Sequence, residues 1–172
     1  NGSRGQGVGE YELFDALEDQ WLQQRYFDVQ VEYAKANPED VYSRITVTNR
    51  GPDPAEIHVL PHLWYRNTWS WEPAQAAPRI TKCGDGAAMT THPVIGDRWF
   101  TVTASTGEVP ALLFCENETN NALLFGSTNA SATTKDGIND YVVHGDADAV
   151  SATAGSKAAA HVHATLAPDE TL

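Results

Sequence analysis

From Phe27 the chain alternates between apolar and polar positions. Phe27, Val29, Val31 and Tyr33 are separated by Asp28, Gln30 and Glu32, a period of two that predicts a β-strand with one buried face. Asn37-Pro38-Glu39-Asp40 supplies a turn, because proline fixes φ and asparagine bonds its own backbone. Alternation resumes with Val41, Ser43, Ile45 and Val47 on one face and Tyr42, Arg44, Thr46 and Thr48 on the other. Asn49-Arg50-Gly51-Pro52-Asp53-Pro54 is a second turn, and the chain returns through Ile57, Val59 and Leu60. The three segments predict an antiparallel meander, with 45–60 as its second hairpin.

Further strand candidates lie at 79–82, 87–91, 98–105, 111–116 and 122–125, punctuated by Gly, Pro or Asn. Strands spaced by about 8–12 residues with turn signals between them predict an all-β chain, an antiparallel β-sandwich. Segment 72–78 is rich in Pro and Ala and reads as a surface loop. Helical periodicity is confined to a short turn around 136–141. The last strand, Lys157–Leu166, places Ala158, Ala160, Val162 and Ala164 on one face and His161, His163 and Thr165 on the other. Pro168-Asp169-Glu170 then reads as a turn with no strand after it, so the sequence is expected to stop one strand early and leave an open edge. At the other end, 11–14 is a short strand candidate and 15–24 a turn or one helical turn. Residues 1–10 are Gly-rich and read as a disordered linker or leftover segment. One β-sandwich, incomplete at both ends, is thus expected over 11–172.

Composition supports a globular domain: of 172 residues, 41% are apolar and 20% charged. A formal charge of −12 argues against nucleic acid or an anionic membrane as partner. No run of about 18 apolar residues is present, so no membrane-spanning helix is expected. The reading is a soluble acidic protein of open compartment, with the cytoplasm favoured. Cys83 and Cys115 are expected to be free thiols, since disulfide scaffolds are far denser in cysteine. Asn117-Glu118-Thr119 and Asn129-Ala130-Ser131 fit the N-glycosylation pattern, which matters only in a secreted protein.

Candidate chemistry is sparse. Glu116 and Glu118 would share a strand face, but a solvated strand end explains them, and no catalytic residue is nominated. His161 and His163 project together and are weak candidates for a metal pair. The spacing from Gly155 to His163 is similar to the first cupin motif, but Ala167 and Pro168 stand where that motif wants a glutamate. A hydrogen-bonded or solvent-facing histidine pair is the simpler reading, and no cofactor is expected. The richest cluster runs from Trp64 to Trp71. Trp64 continues an apolar strand and is assigned to the core. Arg66, Asn67, Trp69 and Trp71 are candidates for a domain interface or a sugar contact, because both uses need aromatic faces with a few directional polar groups.

At these residues the chain resembles a known family. Arg25-Tyr26-Phe27-Asp28-Val29, Val31-Glu32-Tyr33-Ala34-Lys35-Ala36, the segment from Ile45 to Pro52, His58-Val59-Leu60-Pro61, Leu63-Trp64 and Arg66-Asn67-Thr68-Trp69-Ser70-Trp71 look like bacterial glucosidase-like proteins related to glycoside hydrolase family 63, the mannosyl-oligosaccharide glucosidase group. Asp140-Tyr141-Val142, His144-Gly145 and the run from Gly155 to His161 agree. The resemblance implies an N-terminal β-sandwich of the super-sandwich type, followed in such proteins by a catalytic α-helical toroid that hydrolyses glucosides with inversion. None of the toroid is in this sequence, so the fragment is expected to be inactive alone. Its implied partners are the toroid of the same parent chain and, at the active-site rim, an oligosaccharide. Two alternatives stand beside it: a freestanding carbohydrate-binding module with a tryptophan platform, and a metal-dependent cupin-like enzyme.

Overall fold

The structure is a computed structural model, and it describes residues 25–71 and 75–172 together with Leu17. The expectations for 1–10, 11–14, most of 15–24 and the start of loop 72–78 fall outside the described residues. The fold class is all-β with antiparallel sheets, 45% strand and 11% helix. The chain divides into two compact units, one of residues 1–57 and 164–172 and one of residues 58–163.

In the first unit, β1 (Phe27–Asn37) and β2 (Asp40–Asn49) form an antiparallel hairpin. Its turn is closed as the sequence predicts, with the Asn37 side-chain oxygen accepting from the Glu39 and Asp40 amides at 2.8 and 3.1 Å. The expected buried face is not seen: Val29, Val31 and Tyr33 are 58%, 44% and 75% exposed. Alternation fixed the strand but not its burial, because either face of a pleated hairpin needs a second layer to be dry. Burial begins at the far end of β2, where Val47, Thr48 and Asn49 are closed off. There the Asn49 amide donates to the Asp53 and Leu166 carbonyls, and its oxygen accepts from Gly51. At and beyond the Pro168–Asp169 turn, Leu172 exchanges two backbone bonds with Val47, while the Asn49 amide donates to the Glu170 carbonyl and the Asn49 carbonyl accepts from the Asp169 amide. The residues after the turn therefore pair with β2, a short addition where an open edge was expected. Asp169 takes the left-handed conformation, φ 60°, which aspartate tolerates better than most residues.

The predicted meander is corrected by β3 (Ala55–Val59), which joins strand β10 (Lys157–Leu166) rather than β2. Turn chemistry cannot choose between sheets, and the turn through Pro52 and Pro54 redirects the chain instead of closing a hairpin.

The second unit is layered. In one sheet β10 lies between β4 (His62–Trp64) and β8 (Ala111–Cys115), both antiparallel to it. The other sheet runs β7 (Gly96–Thr101), β6 (Ala87–His92), β5 (Ile80–Gly84) and β9 (Ala154–Gly155), in that order. The 98–105 expectation is thus displaced toward the N-terminus. Between the sheets Ile80 and Ala88 pack on Leu112, Phe114, Ala158 and Ala160, all buried. A Cβ on Gly155 would fall on the Cys115 carbonyl oxygen, so β9 passes β8 as closely as it does only because glycine stands there. On the opposite face of β8 and β10, Leu113, Cys115 and Ala159 are covered by Ile138. Ile138 belongs to helix α2 (Gly137–His144), preceded by the shorter α1 (Asn121–Phe125).

Helix α1 corrects the strand expected at 122–125. The Asn120 side chain accepts from the Leu123 amide, and Gly126 ends the turn at φ 66°. These two caps decide for a helical turn over the β-propensity of Leu-Leu-Phe. Trp64 is a second correction. It is 55% exposed, while its neighbour Leu63 takes the inward position on β4 and packs on the core.

Candidate functional site

The segment after β4 carries the four residues singled out for recognition, and they separate into two pairs. Asn67 donates to the Asn117 carbonyl at 2.8 Å and to Glu118 Oε2 at 3.0 Å, and its oxygen accepts from the Ser70 amide at 3.1 Å. Trp69 is buried, 8% exposed, and its indole N–H donates to Glu118 Oε1. Asn117 returns the tie by donating to the Tyr65 carbonyl at 2.8 Å. Asn67 and Trp69 therefore fasten the loop to the segment that follows β8. Burying an indole needs a partner for its N–H, and Glu118 supplies it.

Arg66 and Trp71 are the outward pair. Trp71 is 64% exposed, and the Arg66 guanidinium lies 5.2 Å from its ring centroid, within cation–π range. Beside them an open cleft of about 290 Å³ is lined by Tyr65, Arg66, Thr68, Trp69, Arg79 and His92 among others. Tyr65 stacks on His92 at 4.8 Å between centroids. Arg79 closes onto Glu116 at 3.2 Å, and Glu116 also accepts from the Ser156 amide and hydroxyl at 3.2 and 2.6 Å. Glu116 and Glu118 each accept hydrogen bonds from other segments, Glu116 from Arg79 and Ser156 and Glu118 from Asn67 and Trp69. Glu118, expected at a solvated strand end, is instead half-buried and receives the Asn67 amide and the Trp69 indole. Nothing in its local sequence marks a carboxylate that receives two side chains from about fifty residues away.

A second cluster forms on the outward part of β10. His161 and His163, two apart, share a face as expected, and His58 of β3 joins them. His58 Nδ1 and His161 Nε2 are 2.8 Å apart, and His58 stacks on His163 at 4.3 Å with the rings 5° from parallel. Tyr141 of α2 sets its ring against His161 edge-on, at 6.1 Å and 86°. Burial, followed by the neighbouring His58 and His163, holds the His161 imidazole below its ordinary value. His58 and Glu56 occupy alternate, exposed positions of β3. That alternation was visible in the sequence but unremarkable without knowing β3's partner.

The two cysteines are free, Cys83 exposed and Cys115 buried. Burial pushes the Cys115 thiol up to about 11, so it is a packing residue rather than a nucleophile. Asp136, which precedes α2, goes the other way. Burial alone would raise it, but hydrogen bonds donated by Thr134 and Asn120 hold it below the usual carboxylate range.

Among the described residues no helix is long and apolar enough to cross a membrane. No family model matches the chain, and no solved structure is a significant match. The chain is similar to a protein of Saccharomyces cerevisiae, "Uncharacterized protein YMR196W", at 32% identity over 193 aligned positions. The match covers 95% of this chain and 18% of the yeast protein. The chain thus corresponds to under a fifth of that relative's length.

Proposed function

We propose that this chain is a non-catalytic β-sandwich domain of a glucosidase-like glycoside hydrolase. In that role it packs on the catalytic α-toroid and lends the 65–71 loop to the rim of the active site. The observation that carries the reading is the division within that loop. Asn67 and Trp69 are spent on holding it, while Arg66 and Trp71 are presented outward as a preassembled pair. A fixed aromatic–guanidinium edge suits a domain contact or a sugar rim, because little side-chain entropy remains to be lost on docking. The likeness of nearly the whole chain to a small part of a much longer yeast protein supports a domain role. The resemblance at Arg66-Asn67-Thr68-Trp69-Ser70-Trp71 supplies the enzyme class.

The alternative of a freestanding carbohydrate-binding module relied on Trp69 and Trp71 as a joint platform. Buried Trp69 offers no face for a sugar, which leaves Trp71 alone and favours the docking role. The test uses the isolated chain against aryl glucosides and, by calorimetry, against gluco- and manno-oligosaccharides. No hydrolysis and no binding are expected. Glucosidase activity that survives repurification overturns the proposal, and so does sugar binding abolished by Trp71→Ala, which supports the module instead.

A further inference from the structure

We infer, on the reading of this chain as one domain of a longer enzyme, that the apolar face of the β1–β2 hairpin is a docking face. Its occupant is an apolar layer of the parent chain lying outside residues 1–172. Register places Val29, Val31 and Tyr33 of β1 on one face with Val41 and Ile45 of β2. Val29, Val31, Tyr33 and Val41 are largely exposed, and Ile45 is half-buried. Lys35 stands at the rim of that face, where its aliphatic stem extends the apolar surface. Asp28 and Glu32, the carboxylates between Phe27 and Lys35, stand on the opposite face, where Arg44 approaches Glu32 at 3.9 Å. Acidic and apolar side chains are therefore sorted to opposite sides, the pattern of a ribbon covered on one face only. A two-stranded hairpin gains stability from such a face when a further layer closes over it.

Size and charge decide which layer that is. Five side chains fall well short of the roughly 800 Å² per partner that a stable association between separate proteins buries. A patch of that size holds when its partner is tethered in the same chain, because effective concentration then takes the place of area. A second copy is further opposed by charge, since each copy carries −12. The yeast relative, of which the match covers 18%, has ample chain beyond this domain to supply the layer.

The test is hydroxyl-radical footprinting of the isolated chain and of the full-length parent protein, read by peptide mass spectrometry. Tyr33 on the apolar face and Tyr42 on the opposite face are both largely exposed, so no substitution is needed. In the isolated chain both tyrosines should oxidise at similar rates, whatever the protein concentration. In the parent, oxidation of Tyr33 should fall at least about fivefold, as the core of an interface excludes water, while Tyr42 keeps its rate. Unchanged oxidation of Tyr33 in the parent overturns the proposal. Equal protection of the two tyrosines also overturns it, since the hairpin would then be enclosed rather than docked by one face. Protection of Tyr33 already in the isolated chain does the same, and a rise with concentration assigns the face to a second copy. Glucosidase activity of the same parent sample tests the enzyme class separately. Protection without activity supports the docking face and overturns that class alone.

Discussion

The β1–β2 hairpin and strand β10 follow the same period of two and differ in what stands on either side of them. Along the hairpin, Val29 faces Val47 and Val31 faces Ile45 across the ladder, yet Val29, Val31, Val41 and Tyr42 remain largely exposed. Along β10 the side chains are only alanines at 158, 159 and 160, and all three are fully buried. The larger residues sit where area is left open, and the smallest sit where it is closed. What buries a strand is the layer on each face, supplied for β10 by Ile80 and Ala88 on one side and Ile138 on the other. Small side chains there let those layers approach, and Phe114 fills the remaining space.

The largest effect should therefore come from Phe114. Phe114→Ala is expected to cost about 3–5 kcal/mol, read as a fall in the urea midpoint with little change in slope. A loss under about 1 kcal/mol would mean that the two sheets are not packed as described. Next comes Asn49, a buried polar residue of the hairpin unit that bonds two carbonyls and one amide. Asn49→Ala should cost about 2 kcal/mol, since several buried backbone groups lose their partner at once. A neutral result would show that those groups are reached by water. The smallest effect is expected on the exposed hairpin face, where Val31→Thr should shift stability by no more than about 0.5 kcal/mol. A penalty comparable to that of Phe114→Ala would erase the contrast between the two regions.

Much of this was legible in the chain. The limits of β10, the Asn37 turn and the helical turn that became α2 follow from period, caps and turn residues, all of which act over a few positions. The assignments that failed depend on distant partners. Where β3 pairs is decided by β10, roughly a hundred residues later in the sequence, and no local pattern encodes that. Trp64 and Trp69 exchanged roles because β4 is only three residues long and presents Leu63 inward. The loop then folds Trp69 down onto Glu118. His58 became notable only once β3 was placed beside β10. Segment 122–125 is the instructive local failure: its apolar run suggested a strand, and the decisive residues were Asn120 and Gly126 outside it.

One consequence of the loop fastening concerns modification rather than stability. Asn117 and Asn129 head the two N-glycosylation triplets, and both side-chain amides are engaged, Asn117 with the Tyr65 carbonyl at 2.8 Å and Asn129 with the Asn120 side chain at 3.1 Å. A glycan is attached through that same amide nitrogen. In a secreted copy, a glycan on Asn117 would leave that nitrogen one N–H instead of two, and the bond to the Tyr65 carbonyl would depend on the one that remains.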